Sequence, residues 1–292
     1  MSMGRPLITN IYSRDESNVI AFGVILGRKA AESVNAIREA SWFIEVFDIA
    51  SKRNLLERAR VYDIGDIKLT SYDDLENVTK TTSSILSEGK LPLMLGGGHL
   101  ATYHALKAMP KDVILLVFDA HCDLRESYMD EKIVELDYIN ESTMIDKKLN
   151  DATWLRWASE EKMFKKAAVI GVRSGDEEQL VYAKKNGILL ITSEKLLSRN
   201  GLNAAAKILS NLTKGRKVYL SLDIDVFDPS IAPAVDHPEP LGISFREFTK
   251  LIKSIKGRIV GCDVVCLRKI PDNEVTEFLA ARAIFEILYY AT

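Results

Sequence analysis

Three short runs hold the residue types that bind divalent metals. Gly96-Gly97-Gly98 leads into His99. Asp119, His121 and Asp123 alternate along Asp119-Ala120-His121-Cys122-Asp123. Asp223 and Asp225 share that spacing, ahead of Asp228-Pro229. If these runs converge, four aspartates come within a few ångströms, where they repel one another and some hold their protons. Two divalent cations would neutralise them. Imidazoles and carboxylates together form a mixed N/O donor set suited to Mn2+, Fe2+ or Zn2+ more than to Mg2+ or Ca2+. A carboxylate shared by two ions fixes their spacing, and a water between them would become a hydroxide nucleophile near neutral pH. Taken alone, Asp-x-Asp after a strand is usually a turn element, and Asp-x-His-x-Asp is less often bland. The concurrence of all three runs argues for a metal centre.

The elements that must position these residues follow from apolar patterning. Candidate strands are Asn18–Gly23, Ala59–Ile64, Leu91–Leu95, Val113–Phe118, Ala167–Gly171, Ile188–Ile191, Lys217–Leu222 and Arg258–Val264. Several are apolar on both faces, which suits parallel strands covered on both sides. Helical patterns lie between them: Ala30–Phe47, Tyr72–Glu88, His99–Met109, Glu177–Asn186, Leu202–Leu212, Ser244–Ile255 and Val275–Tyr289. Ser244 with Glu247 forms a capping box, and Gly187 stands where a C-cap glycine belongs. The alternation predicts a three-layer α-β-α sandwich with a mostly parallel sheet of about eight strands. Residues 1–292 read as a single domain, without repeats or a Gly/Ser/Pro linker. Three of the candidate strands end in the metal-binding runs, and ligands bind outside the carboxyl ends of such strands. Alternation puts Asp119, His121 and Asp123 on one side of the chain if it stays extended. Leu124–Trp157 breaks the rhythm: it is charged and aperiodic, and reads as a long excursion of either functional or merely surface character.

The 292 residues, 47% hydrophobic, suffice for one large core. A formal net charge of −2 argues against a nucleic-acid partner. No apolar run is long enough for a signal peptide or a membrane span, so no membrane partner is expected. Three cysteines, Cys122, Cys262 and Cys266, imply no disulfide framework and point to a reducing, cytoplasmic location. Cys122 reads as packing, and His104 as a helix-surface residue.

At these residues the chain resembles the arginase/agmatinase (ureohydrolase) family, over nearly its whole length. Ala36-Ile37-Arg38-Glu39-Ala40-Ser41 is similar to a segment typical of agmatinases, and Asp63-Ile64-Gly65-Asp66 to the family's Asp-x-Gly-Asp. Gly96–His99 resembles Gly-Gly-Asp-His, Asp119–Asp123 matches Asp-Ala-His-x-Asp, and Ile170–Arg173 is similar to Ile-Gly-x-Arg. Ser221–Pro229 matches Ser-x-Asp-x-Asp-x-x-Asp-Pro; Ala232-Pro233, Pro238-Glu239-Pro240 and Leu279-Ala280-Ala281 follow. The resemblance implies two Mn2+ ions. One would be held by His99, Asp119, Asp123 and Asp223, the other by His121, Asp119, Asp223 and Asp225. It also implies hydroxide attack on a guanidinium carbon of a small guanidino substrate, giving urea and an amine. For agmatine the amine is putrescine. Members commonly form trimers or hexamers, so a homo-oligomer is expected.

The departures bear on substrate. Gly98 stands where the family has Asp. Asn140-Glu141-Ser142-Thr143-Met144 stands where the family has a catalytic histidine, which makes Glu141 a catalytic candidate beside Asp123. Cys266 replaces a carboxylate that grips the guanidinium, and a buried cation without a counter-charge is costly. Glu141, Asp236 or Glu239 could supply the charge instead. Asp176 could meet a distal amine. His237 could move protons near pH 7, or serve only as a turn residue. Two other readings stay open: a diverged enzyme hydrolysing another amidine or amide, and a non-catalytic metal-binding relative.

Overall fold

The computed structural model describes residues 6–7, 11–49, 51–54, 57–128 and 148–292. Eight strands form one sheet: β1 (Val19–Leu26), β4 (Val61–Leu69), β5 (Leu91–Leu95), β6 (Ile114–Phe118), β7 (Lys166–Val172), β8 (Leu189–Thr192), β9 (Lys217–Asp223) and β10 (Arg258–Val265). A two-residue hairpin pairs β2 (Phe47–Asp48) with β3 (Arg53–Asn54). The sheet order is β4-β1-β5-β10-β9-β6-β7-β8. Every pairing in it is parallel, so "mostly parallel" understates the sheet. All eight expected strands are present, with ends shifted by a few residues.

Strand residues alternate between two cores. Ile114, Leu116 and Phe118 face one, and Val113, Leu115 and Val117 face the other. The first core is covered by α1 (Gly27–Ser41), α6 (Ser193–Leu197), α7 (Gly201–Thr213), α8 (Phe245–Ser254) and α9 (Val275–Ala291). The second is covered by α2 (Glu76–Ser87), α3 (His99–Lys107), α4 (Trp154–Glu160) and α5 (Glu177–Asn186). Each large apolar side chain so enclosed contributes roughly 1.5–3 kcal/mol relative to leaving it in water. Ends are specified locally. Ser244 Oγ accepts from Glu247 N–H, and Glu247 returns the bond, completing the expected capping box. Gly187 closes α5 in the left-handed conformation at φ 68°. Among the described residues, no helix is long and apolar enough to cross a membrane.

Register fixes the rim. Leu95, Val264, Leu222 and Phe118 form one row across the four central strands. The next residues along the chain are Gly96, Val265, Asp223 and Asp119. The shared direction of the strands therefore sends all three metal-binding runs to the same sheet edge, above its centre.

Candidate metal centre

Asp119 and Asp223 follow directly from this register, at the ends of β6 and β9. His99 is the first residue of α3, reached through Gly96 and Gly97, whose φ angles of 74° and 72° demand glycine. Asp225 sits in a single 3-10 turn, Ile224–Val226, and its N–H donates to Asp223 Oδ1 at 2.8 Å. Asp123 departs from the extended geometry expected of its run. Its φ is 51°, and this left-handed turn, unfavourable for a residue with a β-carbon, redirects its carboxylate toward His99.

The structure brings the six expected side chains together. His99 Nδ1 lies 3.2 Å from Asp123 Oδ2 and 3.7 Å from Asp223 Oδ2. His99 Nε2 lies 3.7 Å from Asp119 Oδ2. His121 Nδ1 lies 2.9 Å from Asp225 Oδ2 and 3.5 Å from Asp119 Oδ1. Donor atoms of His99, Asp119 and Asp123 fall within 4.8 Å of one another, as do those of Asp119, His121 and Asp225. These are two adjacent clusters sharing Asp119. Buried His99 Nε2 and Asp119 Oδ2 have no hydrogen-bond partner among the described residues. Such orphaned atoms are costly unless something else satisfies them. Cations would do so here, and the His/Asp donor set fits two divalent metals.

The charges agree. Burial alone would depress His99, but the hydrogen bond to Asp123 and the charges of Asp119, Asp123 and Asp223 overcome it and raise its pKa. His121 is pushed up to about 12, its burial outweighed by bonding to Asp119 and Asp225. Asp119 rises to about 7 through desolvation and the charges of Asp123 and Asp225. These directions are those expected of a carboxylate-rich centre short of positive charge.

Several supporting residues escape a reading by motif. Trp154, on α4, stacks on His99 with ring centroids 4.8 Å apart, and its Nε1 donates to Asp123 Oδ2 at 2.8 Å. Asp151, just before α4, accepts the N–H of Leu100 at 2.7 Å. Asp151 is accessible to solvent, yet its carboxyl is desolvated enough to raise its pKa. Both lie in the stretch expected to be an excursion, and α4 itself was not anticipated. An apolar helical stripe, Trp154, Leu155 and Ala158, was the available signal. Beneath the centre, buried Asp263 accepts from Tyr219 Oη at 2.7 Å and Ser221 Oγ at 2.6 Å, locking β9 to β10. Arg173 explains the Ile-Gly-x-Arg resemblance. Its guanidinium donates to the carbonyls of Asp225 at 2.6 Å and Glu239 at 2.9 Å, tying two site loops together.

The remaining candidates are placed unequally. Glu239 Oε1 lies 4.0 Å from His121 Nε2, and the His237 ring centroid is 6.1 Å from that of His121. Both therefore border the centre. Asp176 caps α5 through Gln179 N–H at 3.0 Å and pairs with Arg125 at 2.7 Å. These bonds hold its pKa below the usual carboxylate range. Asp236 pairs with Arg268. Glu141 lies outside the described residues. Cys122 is buried in the second core, as packing requires. His104 is not a surface residue: it is half-buried, and desolvation lowers its pKa to about 4.

Fold and site together define a three-layer α/β protein with a paired-metal centre of the ureohydrolase kind. The chain belongs to the arginase family, which matches residues 27–289. It is 31% identical to an agmatinase of Bacillus anthracis, over 98% of this chain and 96% of that one. It is 27% identical to a mitochondrial guanidino acid hydrolase of Homo sapiens, over 86% of this chain and 70% of that one. The solved structure of an agmatine ureohydrolase of Thermoplasma volcanium superposes with a TM-score of 0.83 at 27% identity, covering 100% of this chain and 95% of that one.

Proposed function

We propose that this protein hydrolyses a guanidino C–N bond at a binuclear centre, with agmatine as substrate and putrescine plus urea as products. The observation that carries this is the pair of donor clusters sharing Asp119, read beside relatives that bear the name agmatinase. His99, Asp119, Asp123 and Asp223 would hold one ion, and His121, Asp119, Asp223 and Asp225 the other, with Mn2+ as the assigned metal. Bound there, the two ions would supply Lewis acidity sufficient to activate water near neutral pH.

The chain's own residues do the rest. The guanidinium is a planar cation and needs fixed negative charge in a site with little water. Glu239 borders His121 on the open side and is assigned to the guanidinium, with His237 next to it. Asp176 is assigned to the distal amine, in competition with Arg125. Hydrolysis takes a proton from water and returns one to the leaving amine. Asp123 is assigned that transfer, together with Glu141 from the segment outside the described residues. Trp154 keeps His99 and Asp123 in place while this happens.

Residues 1–292 are proposed to act as one domain, in a cytoplasmic homo-oligomer, a trimer or hexamer. Phe43, Phe47 and Ile49 support subunit contact: they are 73%, 49% and 83% exposed within seven residues of chain. The test of function is urea and putrescine release from agmatine by protein reconstituted with Mn2+. Metal-dependent release of both is expected. Two metals bound per chain without either product would overturn the substrate assignment. A second reading has Cys266 in its favour: the residue after β10 supplies no carboxylate to grip a guanidinium, which suits another amidine or a neutral amide. Turnover of such an amide, but of no guanidine, would select it.

A further inference from the structure

Cys266 is the first residue past β10, and its neighbour Val265 pairs with Asp223 across the sheet. Its φ of 63° is left-handed, a conformation that a residue with a β-carbon adopts at a cost. The turn is held by its N–H, which donates to Gly97 O at 3.1 Å. It therefore contacts the chain on both sides of the centre, the glycine run before His99 and the strand bearing Asp223. The result is that donor atoms of His99, Asp223 and Cys266 all lie within 4.8 Å of one another. Donors bound to one ion at about 2.0–2.3 Å lie no more than about 4.6 Å apart, so modest side-chain rotation closes this set on a metal.

We propose that Cys266 is a metal ligand, its thiolate joining His99 and Asp223 on one ion and making that position more receptive to Zn2+ or a similarly soft divalent metal than a His/Asp donor set alone would be. Thiolate is a soft donor and selects zinc-like ions, whereas carboxylates alone favour harder ones. In the metal-free protein the thiol faces the Asp223 carboxylate. On binding, the S–H bond breaks, sulfur takes up the metal, and the proton leaves to solvent. No oxidant or reductant is needed. The other cysteines are differently placed. Cys122 packs in the second core and Cys262 lies within β10, both 1% exposed. This inference rests on the paired-metal reading above and assigns that site a donor which the sequence resemblance does not contain.

The experiment is a Co2+ titration of the full-length protein, following metal content by elemental analysis and near-ultraviolet absorption. A thiolate-to-cobalt charge-transfer band should grow with bound metal. It should vanish in Cys266→Ser while Co2+ still binds, and persist in Cys122→Ala. In competition, Cys266→Ser should narrow the preference for Zn2+ over Mn2+ by about tenfold or more, since loss of even an outer-shell partner costs about that much. Should Cys266→Ser fail to fold, alkylation of the wild-type protein by iodoacetamide gives the same decision. Saturating Zn2+ is expected to protect Cys266, and equal labelling with and without metal would overturn the proposal. Two Co2+ bound with no band overturns the Cys266 assignment and leaves the binuclear centre standing. No Co2+ bound at all overturns both.

Discussion

Gly98 and Asp151 occupy complementary space: a β-carbon on residue 98 would lie 2.3 Å from Asp151 Oδ2. Gly98 is also the N-cap position of α3 and has no side chain with which to cap it. Asp151 does this from 53 positions further along the chain, accepting the N–H of Leu100. The family motif has aspartate at position 98. Here the carboxylate comes from elsewhere and glycine makes room for it. Gly98→Ala is therefore expected to lose roughly 1–3 kcal/mol of stability through overpacking. In the Asp151→Ala background the same change should cost far less, because the clash is gone. Denaturant melts of the two single variants and the double variant measure the coupling, expected at about 0.5–3 kcal/mol. Additive effects would show that the two residues do not interact.

Trp154 acts on the centre through His99 and Asp123, without being a metal donor itself. Trp154→Phe keeps an aromatic ring for stacking and removes the 2.8 Å bond to Asp123. Asp123 already holds a left-handed φ of 51°, so a released carboxylate has reason to turn away. Metal affinity should fall by about 10–100-fold, the usual loss when a partner of a metal ligand is removed. Titration calorimetry checks it, and unchanged affinity would rule out a positioning role. Trp154→Ala also empties a fully buried site and should cost about 3–5 kcal/mol.

The contrast between these residues and the motif residues shows what a sequence makes legible. Strands such as Ile114–Phe118 are apolar on both faces and bounded by turns, and parallel sheets demand that pattern. Asp119, His121, Asp123, Asp223 and Asp225 crowd into two short runs, so their convergence needs only the rule that strand ends share an edge. Asp151 and Trp154 lie in a charged, aperiodic stretch and reach His99 by tertiary packing, which local pattern does not encode. Helix α1 shows the same limit at smaller scale. Apolar residues continue to Phe47, but the helix stops at Ser41, and Phe43 and Phe47 point to solvent. Periodicity detects an apolar residue, not what covers it. Asp123 failed the extended-chain expectation for a local reason, a backbone turn its residue type does not announce.

Arg38 joins two motifs that are far apart in the chain. It is 2% exposed, and its guanidinium reaches Asp63 at 2.8 and 3.0 Å and Asp66 at 2.6 Å. These ion pairs dock α1 against β4. Arg38→Met would leave two carboxylates facing each other without a cation, one of them deeply buried. Breaking a buried pair in this way costs about 3–5 kcal/mol. A fall in thermal midpoint is expected, and further change to Asp63→Asn should recover part of it. A midpoint unaffected by Arg38→Met would mean that water already screens the network.

Metal binding and protonation compete for the same atoms, and the direction of that competition is fixed by the pKa shifts. An unperturbed histidine titrates near about 6.5, whereas His121 in the metal-free fold is pushed up to about 12 by Asp119 and Asp225 against the opposing effect of burial. A raised folded-state pKa stabilises the metal-free protein fully below the unfolded value. That contribution is lost as pH climbs toward about 12, so metal-free stability should decline above neutrality. Asp119, raised to about 7, holds its own proton below neutral pH. A metal must displace these protons, so its apparent affinity should rise with pH by up to about tenfold per unit for each proton released. Calorimetric titrations between about pH 6 and pH 8, in buffers of different ionisation enthalpy, count the protons directly. Release of at least one proton per pair of metals is expected. An affinity flat across this range would mean that His121 is already neutral and Asp119 already ionised before metal arrives, and would overturn a protonated empty centre.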